Sequence, residues 1–188
     1  MVPRMTDAIL ARLRARRRGA PILAFSVLAA LGLVGAQVAP AATSAVPSRA
    51  AAARYAHRTY VVDAQLGRRR FALTGPRAVV TAADGSRITA FGMLLADSGD
   101  GTGQAVLLFR GRRFLGWASA YMAVRLVVGR SGSAIAVTYG VYRGNDPFCC
   151  PSSRKVVRYS WTGGRIVASG RPPLIYGQRG ERLHLAPA

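Results

Sequence analysis

Acidic residues and histidine are scarce in this sequence. Seven Asp and Glu residues stand against 27 Lys and Arg, and the two histidines are His57 and His184. A general base must lie within hydrogen-bond reach of the group that it activates, and Ca²⁺ takes six or more oxygen ligands. Glycine motifs for phosphates or dinucleotides are also missing. We therefore expect no enzymatic activity, no catalytic residues, no metal ion and no cofactor.

The segment ADSGDG (96–101) is a candidate for a catalytic serine or a calcium site. It is similar to the Asp-Ser-Gly around a trypsin-like nucleophile, which would make Ser98 the nucleophile and His57 its base. His57 lies too close to Ser98 in sequence for that two-barrel fold. Asp97 and Asp100 could also contact Ca²⁺, but two carboxylates are too few. We expect a glycine-rich turn between two strands.

Charged residues are missing from one long stretch near the N-terminus, Ala20 to Val38. Six arginines precede it, and Ala39-Pro40-Ala41 fits a small-residue cleavage site. A basic region, an apolar stretch and such a site are the three parts of an export signal. We predict a signal peptide over residues 1–41. An uncleaved anchor is the alternative, since this stretch is just long enough to span a bilayer. Ala36 stands where a lipoprotein would carry its lipidated cysteine, so we do not expect lipidation.

Lysine is nearly absent: Lys155 is the single one, and arginine supplies the rest of a net charge of +20. Nucleic-acid binding is the usual explanation of such a charge, but it requires a cytoplasmic protein, and the export signal argues against that. Most of the arginines lie beyond residue 41, so the excess remains on the exported part. We expect anionic lipid headgroups or acidic envelope polymers as partners, no nucleic acid, and membrane contact only through the N-terminal segment. The sequence predicts no oligomeric state.

Long amphipathic helical patterns are absent after the signal, whereas short apolar segments recur between glycine turns. We predict a mainly β fold: a small antiparallel, sandwich-like domain built from hairpins, preceded by the signal or anchor helix. Its boundaries are a flexible linker over 42–58, the β domain over 59–173 and a C-terminal tail over 174–188. The predicted strands are Ala78–Ala82, Arg87–Phe91, Ala105–Phe109, Phe114–Ala118, Val124–Val128, Ser133–Tyr142, Val156–Trp161 and Arg165–Ala168.

Cysteine is limited to one adjacent pair, Cys149 and Cys150, in the segment RGNDPFCCPSS (143–153). In the oxidising space outside the cytoplasm, two free thiols do not normally persist. Adjacent Cα atoms lie about 3.8 Å apart, closer than in most disulfides, so a bridge between them closes a strained ring. Adjacent cysteines also lack the C-x-x-C spacing of zinc sites. We favour a Cys149–Cys150 disulfide, with an intermolecular bridge or free thiols as alternatives.

Three segments resemble the LppP/LprE family of actinobacterial cell-envelope lipoproteins. They are GQAVLLFRGRRFLGWASA (103–120), AIAVTYGVYRGNDPFCCPS (134–152) and VVRYSWTGGRIVASGRPP (156–173). The resemblance covers about residues 84–173, and the Asp-Pro-x-Cys-Cys-Pro-Ser block is its most specific part. It implies an exported envelope protein with no assigned enzymatic activity, and it supplies no catalytic residue for this chain.

The expected function follows from the export signal, the resemblance and the lack of catalytic residues. We expect an exported protein, secreted or associated with the cell envelope, that acts by binding or structural support. The alternative is a protein active in thiol–disulfide exchange through Cys149 and Cys150.

Overall fold

Two antiparallel β-sheets form most of the fold in the computed structural model, which describes residues 45–99, 101–147, 149–174 and 181–187. The strands are β1 (Thr59–Asp63), β2 (Gly67–Ala72), β3 (Arg77–Thr81), β4 (Arg87–Leu95), β5 (Gln104–Arg110), β6 (Arg113–Trp117), β7 (Val127–Ser131), β8 (Ala134–Val141), β9 (Ser153–Thr162), β10 (Arg165–Ala168) and β11 (His184–Leu185). The first sheet has the order β11-β1-β2-β4-β5-β6, with β3 also paired to β4, and the second has the order β10-β9-β8-β7. The predicted mainly β, antiparallel fold is confirmed.

The β4 strand pairs with two different strands along one of its edges. Its first half pairs with β3, from Arg87 opposite Thr81 to Phe91 opposite Arg77, and its last two residues pair with β2. Between these partners the chain passes close to β4, where the Gly75 N–H donates to the Gly92 carbonyl at 3.0 Å. The second edge of β4 pairs with β5.

A hydrophobic core fills the space between the two sheets. In the second sheet, Val137 of β8 lies opposite Val128 of β7 and Val157 of β9, and all three valines are buried. The hydroxyl groups of Tyr139 and Tyr159 share a buried hydrogen bond of 2.7 Å, and burial raises the pKa of both phenols. The first sheet contributes small and branched residues to this core, namely Ala78, Val80, Ile88, Ala90, Val106 and Leu108.

The opposite face of the first sheet is covered by helix α1 (Arg49–Arg58). Ser48 caps its N-terminus by accepting the Ala51 N–H at 3.1 Å. The helix buries Ala52 and Ala56 completely against the sheet. The predicted flexible linker over 42–58 is therefore wrong for residues 49–58. Alanine favours helix, and its small side chain lets the helix approach closely without the large apolar stripe that marks most packed helices in a sequence.

The described part of the C-terminal segment, 181–187, also belongs to the folded domain. Thr59 and Tyr60 of β1 lie opposite Leu185 and His184 of β11, and the Tyr60 and His184 rings stack with their centroids 5.2 Å apart. Leu183 is buried. The predicted boundary at residue 173 is therefore wrong, because a short strand completes the edge of the first sheet and its pairing is not encoded locally.

The predicted hairpins of the central region are confirmed, and one predicted strand is displaced. The Asp84-Gly85 turn joins β3 to β4, and Gly85 has the positive φ (78°) that such a turn favours. The strand predicted over Val124–Val128 begins three residues later, because Arg125 has a φ of 51°, which interrupts an extended chain.

The predicted signal peptide or anchor over 1–41 lies outside the described residues. Among the residues that the structure does describe, no helix has the length and apolar character needed to cross a membrane.

Candidate functional site

The loop that carries the two cysteines is organised by one carboxylate. Asp146 Oδ2 accepts hydrogen bonds from the Arg143 N–H at 2.6 Å and from the Ser152 N–H and hydroxyl at 2.9 Å each. These contacts join the start of the loop to its end. The Asp and the final Ser of the Asp-Pro-x-Cys-Cys-Pro-Ser block are thus bonded to each other.

The charge of Asp146 is stabilised by these same contacts. The Ser152 N–H, followed by the Arg143 N–H, lowers the pKa of the Asp146 carboxyl below its ordinary value. A lowered pKa in the folded state contributes stability above the ordinary aspartate pKa, and that contribution is lost as the pH falls through the lowered value. The loop should therefore keep its form at neutral pH and lose it in acid.

We expect the amide resonances of Arg143 and Ser152 to titrate together, with a midpoint below the ordinary aspartate pKa. The Asp146→Asn change should remove this titration and speed hydrogen exchange at both amides. NMR of the labelled protein measures both effects. Asp63→Asn is the matched control, because Asp63 accepts the Gln65 and Leu66 N–H groups in a different turn. A midpoint at the ordinary value, or equal effects of the two changes, would contradict this role.

Both cysteines are exposed at the surface of this loop. Their Sγ atoms lie at disulfide distance, and their Cα atoms are 3.8 Å apart. The Cys150 N–H donates to the Pro147 carbonyl at 2.9 Å, so the pair lies in a turn. The predicted pairing of Cys149 with Cys150 is therefore sterically available, although its chemical state stays a prediction.

Arg125 connects the cysteine turn to the second sheet. Its Nε and Nη2 donate to the Cys149 carbonyl at 3.1 and 3.0 Å. Arg125 is also the residue other than glycine whose φ is positive in the described part of the chain. This backbone form directs the residue toward the cysteine turn, and the two hydrogen bonds fix the position of the guanidinium group.

Gly140 of β8 allows this arrangement by having no side chain. A Cβ at this position would lie 2.7 Å from Pro151 Cγ, 3.1 Å from Arg125 Cβ and 3.1 Å from the Val124 carbonyl oxygen. Any larger residue would push the Cys-Cys-Pro turn away from the sheet. The Gly140 N–H also donates to the Val124 carbonyl at 3.1 Å, which places the segment before β7 beside β8.

A cleft of about 450 Å³ lies between the Cys-Cys-Pro turn and the outer face of the second sheet. Cys150 and Pro151 form one wall, while Thr138 and Gly140 of β8 belong to the sheet. The rest of the lining is Gln104, Arg125, Leu126, Val127 and Arg154. None of the described residues that line the cleft is Asp or Glu. The block that is most specific in the sequence thus forms part of the lining of a positively charged cleft.

The outer face of the second sheet continues from this cleft. Thr138 of β8 lies opposite Val127 of β7 and Val156 of β9, and these valines are 57% and 45% exposed. Arg158 on the same sheet lies opposite Ala136 and donates from Nε to the Ser131 hydroxyl at 3.0 Å. Ile135, Val137 and Tyr139 of β8 are buried in the core, whereas the alternate residues Ala136, Thr138 and Gly140 are only half-buried and belong to the outer face.

The described aspartates are all engaged in local structure. Asp63 and Asp146 accept backbone N–H groups in their turns. Asp84 accepts from Ser86, from Trp161 and from Arg110, and Asp97 pairs with Arg69. The pairs Arg69–Asp97 (2.8 Å) and Arg110–Asp84 (3.3 Å) are the ion pairs within the described ranges. Most of the described arginines consequently have no described carboxylate as an ion-pair partner.

The residues weighed for catalysis or calcium binding have other environments. His57 is exposed in the last turn of α1. Asp97 accepts from Arg69 Nε and Nη2, so its carboxylate is already paired. Within the described residues, no three His, Cys, Asp or Glu side chains come together in a group that could hold a metal ion. Asp100 lies outside those residues.

Exposed arginines of the first sheet lie next in sequence to buried aromatic rings or in the turns beside them. Phe71 and Phe109 are buried in the core, whereas Arg70, Arg112 and Arg113 are exposed. Sequence reasoning found the cysteines of the site but missed Arg125, Gly140 and Arg154. For Gly140 a signal existed, since it is the smallest residue on the small face of β8.

Comparisons with known proteins give a family match. The model of the LppP/LprE lipoprotein family matches residues 86–164. The match runs from the turn before β4 to the turn before β10 and includes the cysteine turn, Arg125 and Arg154. No curated protein and no solved structure matches the chain significantly. The predicted resemblance is confirmed over residues 86–164 by this match, and the description of the family implies an exported protein associated with the cell envelope.

Proposed function

We propose that this protein is a non-enzymatic component of the cell envelope that binds an anionic envelope polymer through its arginine-rich surface. The observation that carries the proposal is the distribution of charge: the described aspartates are used in turns and two ion pairs, which leaves most described arginines available to an external anion. Uncompensated charge of one sign attracts polymers of the opposite sign. The family match supports the location.

The proposed route to the envelope is export through the segment 1–41, followed by cleavage after Ala41. The basic region, the uncharged stretch and the small-residue site in the sequence support this step. Ala36 stands in the position of a lipidated cysteine, so the proposal does not include a lipid anchor. N-terminal sequencing of the protein from the envelope fraction tests it, and an intact N-terminus would show an uncleaved anchor instead.

Binding to an anionic polymer should depend strongly on salt. We expect the exported protein to be retained by immobilised polyuronic acid and not by neutral dextran. The affinity should fall at least about tenfold between about 50 and 500 mM NaCl, because the Debye length shortens to a few ångströms over that range. Surface plasmon resonance at several salt concentrations measures this. Binding that does not respond to salt, or no binding to the acidic polymer, would remove the proposal.

Thiol–disulfide exchange is the second candidate, and the exposure of both cysteines favours it. In such a reaction the Cys149–Cys150 disulfide would take two electrons and two protons from a dithiol partner, which would become a disulfide. Titration against glutathione, followed by thiol alkylation and mass spectrometry, distinguishes the two functions. A potential below about −300 mV would mark a structural bridge, and a higher one would favour exchange.

A further inference from the structure

We propose that the cleft beside the Cys-Cys-Pro turn is a binding site for a single anionic sugar unit, a hydroxylated ring that carries one carboxylate or phosphate. This inference rests on the proposed function and gives it a location. The cleft volume of about 450 Å³ falls within the range of small-ligand sites, about 300–1,000 Å³. It is therefore large enough to hold one ring rather than only an ion.

The charge of the cleft points to an anion. Arg125 and Arg154 both line it, and the described lining includes no carboxylate. The acidic residue of the adjoining loop is Asp146, whose carboxylate accepts hydrogen bonds from Arg143 and Ser152 on its own loop. Arginine binds carboxylate and phosphate with its planar fork of donors. An anion in the cleft would meet two positive charges, with no competing carboxylate among the described lining residues.

Arg125 is held in place before any ligand arrives. Its Nε and Nη2 are bonded to the Cys149 carbonyl, which leaves Nη1 as the part of the guanidinium that is not in these bonds. Arg154 is exposed on β9, directly opposite Gly140. Because Gly140 has no side chain, Pro151 and the Cβ of Arg125 pack directly over this position, which fixes both residues at the wall of the cleft. The fixed arginine lowers the entropic cost of binding, and the exposed one can adjust to the ligand.

The uncharged lining suits a sugar ring more than a bare anion. Gln104 Oε1 accepts the Leu126 N–H at 2.5 Å, so one end of the carboxamide is fixed, and its Nε2 carries the two N–H donors of this side chain. The Thr138 hydroxyl can donate to and accept from sugar hydroxyl groups. Leu126, Val127 and Pro151 provide apolar surface for the C–H faces of a ring. Ligand sites commonly combine apolar walls with a few fixed polar groups in this way.

The test is an NMR titration of the exported, oxidised protein with glucuronate, glucose 1-phosphate and neutral glucose. We expect at least one of the two acidic sugars to shift the amide resonances of Gln104, Thr138 and Gly140, and glucose to bind at least about tenfold more weakly. Arg154→Gln should weaken the acidic sugar about tenfold, the usual effect of losing one charge-assisted hydrogen bond. Arg165→Gln on β10 is the matched control, since Arg165 is exposed on the same sheet but does not line the cleft.

The outcomes separate this inference from the proposed function. A response to glucuronate alone identifies a carboxylate ligand, and a response to glucose 1-phosphate alone identifies a phosphate. Shifts away from the cleft, or equal effects of Arg154→Gln and Arg165→Gln, overturn the cleft site. If immobilised polyuronic acid still retains the protein in a salt-dependent way, the proposed function stands without the cleft site. Thermal unfolding of both variants shows whether a loss of binding reflects loss of the fold.

Discussion

Replacing Phe109 with alanine should lower the free energy of unfolding by about 3–5 kcal/mol, the usual cost of removing a buried phenylalanine. Phe109 of β5 is completely buried. Its ring centroid lies 5.5 Å from that of Tyr55 on α1, 5.9 Å from Phe91 on β4 and 5.4 Å from Phe114 on β6. One side chain therefore connects the helix to three strands, and its loss leaves a cavity that these rings cannot all fill.

Denaturant unfolding monitored by fluorescence measures this change, and Val62→Ala is the matched control. Val62 is 60% exposed on β1, so its truncation should change the stability by less than about 0.5 kcal/mol. Hydrogen exchange tests the same effect independently. In the Phe109→Ala variant, the amides of α1 should lose protection from exchange together with those of β5. If the helix amides exchange freely in the unmodified protein, α1 is not part of the folded domain, and the explanation of the Phe109 effect is wrong.

Replacing Gly75 with alanine should cost about 1–3 kcal/mol, the range for added volume in a packed site. A Cβ at this position would lie 2.7 Å from the Cα of Gly92 and 2.9 Å from its carbonyl carbon. These are backbone atoms of the central strand β4, so they cannot move aside as the end of a side chain can. Relief of the contact requires separation of the Gly75 N–H from the Gly92 carbonyl, which weakens the connection between β2 and β3.

Thermal unfolding of Gly75→Ala and Gly129→Ala provides the comparison. Gly129 lies on β7, where an added Cβ meets nothing within 4 Å and φ is not positive. Its replacement should be neutral or slightly stabilising, since alanine restricts the unfolded chain. Equal melting temperatures for the two variants would show that the backbone contact at Gly75 does not limit the packing of the first sheet.

The central hairpins could be predicted because their information is local. The Asp84-Gly85 and Gly163-Gly164 turns each mark a chain reversal within a few residues. The alternation of large and small residues along β8 marks which face of the strand is buried. Their strands were predicted to within a few residues. The cysteine pair was also evident, since its position and its proline neighbours need no knowledge of the rest of the chain.

The missed features depend on contacts between distant residues. The α1 helix buries alanines instead of large residues, so no apolar stripe distinguishes it from a linker. The cleft requires Arg125 to adopt a positive φ, which the sequence around an arginine does not predict. It also requires Gly140 to lie against Pro151, which is apparent only when β8 and the cysteine turn are placed together.

The strand order of the second sheet affects how readily this protein can aggregate with other copies of itself. Its edge strands are β7 and β10, and an open edge is a template on which another chain can add a strand. The β10 strand is only four residues long, begins with Arg165 and is followed by Pro172 and Pro173. The β7 strand is five residues long and includes Gly129 and Arg130. Short edges, charge and nearby prolines discourage edge-to-edge growth, so a high local concentration should not lead this domain to form fibrous aggregates.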